Sequence, residues 1–147
     1  MRTMMSNLAL AGALASVLVA TSASAEMLAF KADLKGASEV PPTDSAATGT
    51  ATVDVDTATK ELKWTIQYSG LTGDATAAHF HGPAAVGENA GPAVDISGKI
   101  ESGSATVTDA QIADLQAGKM YINIHTAKFP DGEFKDLAEL RLKSGRD

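Results

Sequence analysis

Cysteine is absent from the chain. That excludes disulfides and thiol redox chemistry, and it removes the residue on which a lipoprotein anchor would be built. Basic side chains are scarce: 12 Lys and Arg stand against 18 Asp and Glu, a net charge of −6. A nucleic-acid partner would want the opposite sign. No nucleophile-elbow pattern occurs, and Ser69, Ser97, Ser102 and Ser104 all lie in turn-like sequence. Phosphate loops are missing too, because Gly87 to Gly91 lacks the basic residue and the following helix that such a site uses. There is no linker, low-complexity block or internal repeat, so the expectation is one domain.

What is present begins with a leader. Met1-Arg2-Thr3 supplies a short positive start, residues 8–20 form an apolar run, and Ala23-Ser24-Ala25 is an A-x-A cleavage site. This is the order of a secretory signal peptide over residues 1–25, and the run is too short for an ordinary membrane span. The mature chain, residues 26–147, is expected to be periplasmic or secreted, with no membrane span. Without Arg2 its net charge is near −7, which favours solubility and attraction for cations.

The rest alternates with period two. Phe30-Lys31-Ala32-Asp33-Leu34 reads as a first strand, and Glu39-Val40-Pro41-Pro42 as a rigid loop or sheet edge. Ala51-Thr52-Val53-Asp54-Val55-Asp56 and Leu62-Lys63-Trp64-Thr65-Ile66-Gln67-Tyr68 make a hairpin around a turn at residues 56–60. Trp64, the only tryptophan, belongs to the core on this reading. Residues 82–92, rich in Gly, Pro and Ala, form a long surface loop. A further strand spans residues 93–100 and a short one 105–107. Thr108-Asp109-Ala110-Gln111 matches a capping box, so one short helix occupies residues 109–117 and ends at Gly118. A turn at residues 129–132 precedes a last strand from Glu133 to about Leu142, followed by a frayed tail. Many short strands with one minor helix describe an all-β, antiparallel sandwich or barrel, superoxide-dismutase-like or immunoglobulin-like.

Two strands carry the chemistry. Ala77-Ala78-His79-Phe80-His81-Gly82-Pro83 holds two of the three histidines, and Tyr121-Ile122-Asn123-Ile124-His125-Thr126 holds the third. Side chains at i and i+2 share a strand face. If Phe80, Ile122 and Ile124 face one core, His79, His81 and His125 take the opposite face. On neighbouring strands the three imidazoles then converge. Three neutral imidazoles suit Cu(II) or Zn(II), and copper leads the order of affinities at such a site. Glu133 and Glu39 are candidates for a further ligand or for a partner behind a histidine. Met120 and Met27 are thioethers of a kind that assists Cu(I), although isolated methionines usually serve packing.

Several ordered motifs also resemble the CHRD (chordin) domain. They are Leu34-Lys35-Gly36-Ala37-Ser38-Glu39-Val40-Pro41-Pro42, the run from Gly70-Leu71-Thr72-Gly73 into Ala78-His79-Phe80-His81-Gly82-Pro83, and residues 115–126. The resemblance implies a secreted or periplasmic β-sandwich and brings no settled enzymatic activity. The family's C-terminal signature reads like G-G-E-I-R-G-Q. Here Asp131-Gly132-Glu133-Phe134-Lys135-Asp136-Leu137 keeps the Gly-Glu and loses the Arg and the following Gly. A likeness to copper/zinc superoxide dismutase is geometric only, since three histidines cannot fill both metal sites of that enzyme. The leading expectation is a module holding one copper ion, with zinc as the alternative, through His79, His81 and His125 for storage, delivery or tolerance. A protein- or glycan-interaction module and a copper redox enzyme are the other two readings.

Overall fold

The computed structural model of the protein describes residues 25–136 together with the backbone of Arg141–Leu142. The expected signal peptide, apart from Ala25, and the C-terminal tail lie outside the described residues. Among the described residues, nine strands and one α-helix follow in the order β1 (Met27–Lys35), β2 (Thr48–Asp56), β3 (Glu61–Ser69), β4 (Ala75–His81), β5 (Pro92–Asp95), β6 (Ser102–Thr106), α1 (Asp109–Gln116), β7 (Tyr121–Thr126), β8 (Phe134–Lys135) and β9 (Arg141–Leu142). All pairings are antiparallel, and the strands join into one sheet in the order β5-β4-β7-β8-β1-β2-β3-β6, with β9 on β1. The sheet curls into a nearly closed barrel, so the all-β expectation holds in its barrel form.

The alternation read from the sequence is what turns this sheet around one core. Leu62, Trp64 and Ile66 of β3 point inward opposite Val55, Val53 and Ala51 of β2. The turn between them is held by Asp56, whose Oδ1 accepts from the backbone N–H of Ala58 and Thr59. Phe30 and Leu34 of β1, Phe80 of β4, Ile122 and Ile124 of β7 and Phe134 of β8 are fully buried in the same core. Trp64 meets Phe80 edge-on at 6.0 Å and donates from Nε1 to the Lys99 carbonyl. Across the strand pair its indole lies against Gly103, where a Cβ would come within 2.5 Å of the ring.

The helix is bounded as its sequence dictates. Thr108 accepts from the Gln111 N–H, and Gln111 reaches back to the Thr108 N–H. Ile112 and Leu115 are its buried face, and Gly118 follows with φ of 67°. Two strand expectations change. The strand expected over residues 93–100 stops at Asp95, because the Asp95 carboxylate accepts from both the N–H and the hydroxyl of Ser97 and starts a 3-10 turn. The strand expected from Glu133 onward appears as the short β8 and β9, with residues 137–140 outside the description.

Candidate metal centre

Strands β4 and β7 are neighbours, and their register fixes the site. Ala78 pairs with Ile124 and Phe80 with Ile122, all four at or near zero exposure on the core side. The opposite face must then present His79 across from Asn123, His81 across from Tyr121, and Ala77 across from His125. The three imidazoles gather there, with ring centroids 5.1 Å (His79–His125), 5.4 Å (His79–His81) and 5.8 Å (His81–His125) apart. One donor nitrogen from each lies within 4.8 Å of the other two.

Hydrogen bonds decide which nitrogens are free. His81 Nδ1 is 2.9 Å from the Ala90 carbonyl and His125 Nδ1 is 3.0 Å from the Pro130 carbonyl. A carbonyl only accepts, so each neutral ring carries its proton on Nδ1 and keeps a lone pair on Nε2. The His81 Nε2 is buried and has no hydrogen-bond partner among the described residues. The His125 Nε2 lies 3.2 Å from His79 Nδ1. In the metal-free protein His79 therefore donates from Nδ1 to His125. Its Nε2 faces the exposed Asp95 carboxylate at 3.8 Å. Nitrogens bonded at about 2.0 Å to one tetrahedral ion stand about 3.3 Å apart. His79 and His125 already sit at that spacing, and His81 needs a shift of up to about 1.5 Å to join them. His81 and His125 each spend Nδ1 on a fixed carbonyl and keep the lone pair on Nε2, the arrangement metal-binding histidines use.

The face is covered, which the sequence reading did not anticipate. His81 and His125 are buried at 7% and 8% exposure, and every residue of β7 is buried. Burial disfavours the imidazolium, so His81 and His125 are both held below the ordinary imidazole pKa, despite the carbonyls at Nδ1 that favour the charged form. Loop residues 82–91 form part of the cover. Tyr121 stacks on His81 with centroids 5.0 Å apart and planes 6° from parallel, and its hydroxyl bonds to the Ala90 backbone.

The two carboxylates expected beside the histidines are placed elsewhere. Glu133 is wholly buried, and its two oxygens accept from the Ser45 hydroxyl (2.6 Å), the Thr126 hydroxyl (2.6 Å), and the Thr72 N–H and hydroxyl (both 2.9 Å). Burial pushes its pKa up, but these bonds outweigh it and hold the carboxylate below its usual range. Thr126 lies two residues beyond Ile124, on the core side of β7, so Glu133 lies behind the histidine face and outside the cluster. Glu39 is also buried. Its Oε2 lies 4.0 Å from Lys135 Nζ, and desolvation, opposed by that cation, raises its pKa to about 7. Met120 is packed in the core and Met27 is exposed at the start of β1.

Lys135 was missed from the sequence. It is fully buried, and it pairs with Asn123 in register. Its ammonium donates to Asn89 Oδ1 at 2.7 Å and sits 4.4 Å from the Tyr121 ring centroid. The available signal was a cation directly after Phe134 within a recognisable motif.

An antiparallel β-barrel with a histidine cluster beneath its loops is the class of protein that fold and site define. The chain belongs to the CHRD domain family: the family model matches residues 30–134. No curated protein and no solved structure matches the chain.

Proposed function

We propose that this CHRD domain is a secreted or periplasmic metal-binding module that holds one copper ion, or zinc in its place, through His79, His81 and His125. The observation that carries the reading is the unpartnered, buried Nε2 of His81 beside the 3.2 Å pair of His79 and His125. A buried nitrogen lone pair left without a partner costs free energy that a cation would recover. Three neutral nitrogens with no thiolate and no carboxylate among them favour Cu(II) over Zn(II) by intrinsic affinity. An ion held by three protein ligands keeps a position for water or for a ligand of an exchange partner, which suits storage, delivery or tolerance. Membership in the family supports the extracytoplasmic location, as does the leader-like sequence of residues 1–25.

Calorimetric titration of residues 26–147 with Cu(II) and Zn(II) tests this. One ion per chain is expected. His81→Ala and His125→Ala should each weaken binding at least ~100-fold, the upper range for removing even an outer hydrogen-bond partner of a ligand. Unchanged binding in both variants removes the proposal.

A further inference from the structure

From Pro83 to Gly91 no residue is buried, and Val86 points its apolar side chain into solvent. This loop covers part of the histidine face, yet it gives no side chain to the core. Polar bonds hold it down. In its first half the Ala84 N–H donates to the Lys119 carbonyl at 2.9 Å. The second half is tied through two adjacent residues. Asn89 Nδ2 donates to the Val40 carbonyl at 2.7 Å, and Asn89 Oδ1 accepts from the Lys135 ammonium at 2.7 Å. Ala90 follows, with its carbonyl on His81 Nδ1 at 2.9 Å and its N–H on the Tyr121 hydroxyl at 3.0 Å.

Lys135 is a costly group to bury, and its contacts show what it holds. Its side chain has no exposure, and the Glu39 carboxylate balances its charge from 4.0 Å, beyond hydrogen-bond range. The hydrogen bond it makes goes to Asn89. Its ammonium also sits 4.4 Å from the centroid of Tyr121, the ring that stacks on His81. The cation therefore reaches the cover of the histidines twice, through Asn89 and through Tyr121. A hydrogen bond from an ionised donor is the stronger kind. Asn89 itself is exposed, so water can replace that bond without any break in the core.

We propose that the Lys135 ammonium latches loop 82–91 over the histidine face through Asn89, and that opening of this latch is the step by which an ion enters and leaves. Asn89 and Lys135 are positioning residues. They fix the Ala90 carbonyl, which keeps the His81 proton on Nδ1 and its lone pair on Nε2. The gating step rests on the reading of His79, His81 and His125 as an ion site; the latch does not.

Amide hydrogen exchange of the metal-free protein tests the latch. Asn89→Ala should speed exchange at the Ala90 amide at least ~10-fold, the lower end for loss of a bond to a charged group, while the amides of β2 keep their rates. Ring 15N spectra of the same variant should show His81 losing its single Nδ1–H tautomer. Asn89→Asp, which keeps an acceptor for the ammonium, should retain both the protection and the tautomer. In loaded protein, transfer of bound Cu(II) or Zn(II) to excess EDTA should run at least ~10-fold faster in Asn89→Ala than in the wild type. Unchanged exchange at Ala90, or an Asn89→Asp variant as open as Asn89→Ala, overturns the latch. Faster exchange there with an unchanged rate of ion transfer overturns the gating step. Wild-type protein that binds neither ion overturns the reading of the histidines and the gating with it, and exchange at Ala90 still decides the latch.

Discussion

An imidazole ligates only through a lone pair, so the proton on its other nitrogen decides whether it is ready. His81 and His125 are ready, each with Nδ1–H fixed on a carbonyl. His79 is not, because its Nδ1–H is spent on His125. Metal uptake must move that proton to Nε2, toward Asp95. Ring 15N spectra of the protein with and without Zn(II) should show His79 changing tautomer while His81 and His125 keep Nδ1–H; three unchanged rings would contradict this. Burial holds the pKa of His81 and His125 down, so these two rings resist protonation. Both remain neutral below the ordinary imidazole value of about 6.5. Protonation of any of the three rings opposes the ion, so affinity should fall on acidification. Stability of the metal-free fold follows the same sign for these rings: present above the unfolded pKa, lost on acidification. Glu39 works the other way. Its folded pKa is raised to about 7, so its contribution is present below the usual carboxyl value and lost as pH rises through about 7. Glu39→Gln should therefore make stability rise more steeply with pH between 5 and 7 than in the wild type, measured by urea unfolding.

Strands β2, β3, β4 and β7 were legible because pleating writes burial into sequence with period two. Val53, Trp64, Phe80 and Ile122 could face only one way once the core was assumed. The cap of α1 was legible for a similar reason, since Thr108 and Gln111 satisfy each other locally. Thr108→Ala should cost about 1 kcal/mol in thermal or chemical unfolding. The covered histidine face was not legible. Tyr121, Asn123 and His125 alternate with isoleucines as an outward face would, yet all are buried beneath aperiodic loops. What a loop covers depends on where it folds back, and periodicity does not encode that. The end of β5 was hidden by a side-chain bond, Asp95 to Ser97, that competes with the ladder. Gly132 belongs at this scale as well. Its φ is 132°, and a Cβ there would lie 2.3 Å from the Asn123 amide. Gly132→Ala should destabilise by roughly 2 kcal/mol or more, since both the backbone and the close approach resist it. Strain here would also displace the turn that carries the Pro130 carbonyl.

At the scale of the whole molecule, stability rests on packing without disulfides, and one buried carboxylate ties distant segments together. Glu133 joins Ser45 from the loop before β2, Thr72 from the loop before β4 and Thr126 at the end of β7. Glu133→Ala should cost about 3 kcal/mol or more, because it strands several buried donors at once. The metal centre adds a ligand-linked contribution. At a free ion concentration 100-fold above Kd, binding to the native state alone stabilises by roughly 2.7 kcal/mol. The unfolding midpoint should rise with Cu(II) or Zn(II) in the wild type and stay put in His125→Ala.

The most direct measurement is X-ray absorption at the metal edge of copper-loaded and zinc-loaded protein. Three imidazole nitrogens at about 2.0 Å are the expected first shell. A shell dominated by carboxylate or water oxygen, or one holding a single imidazole, would contradict the three-histidine centre.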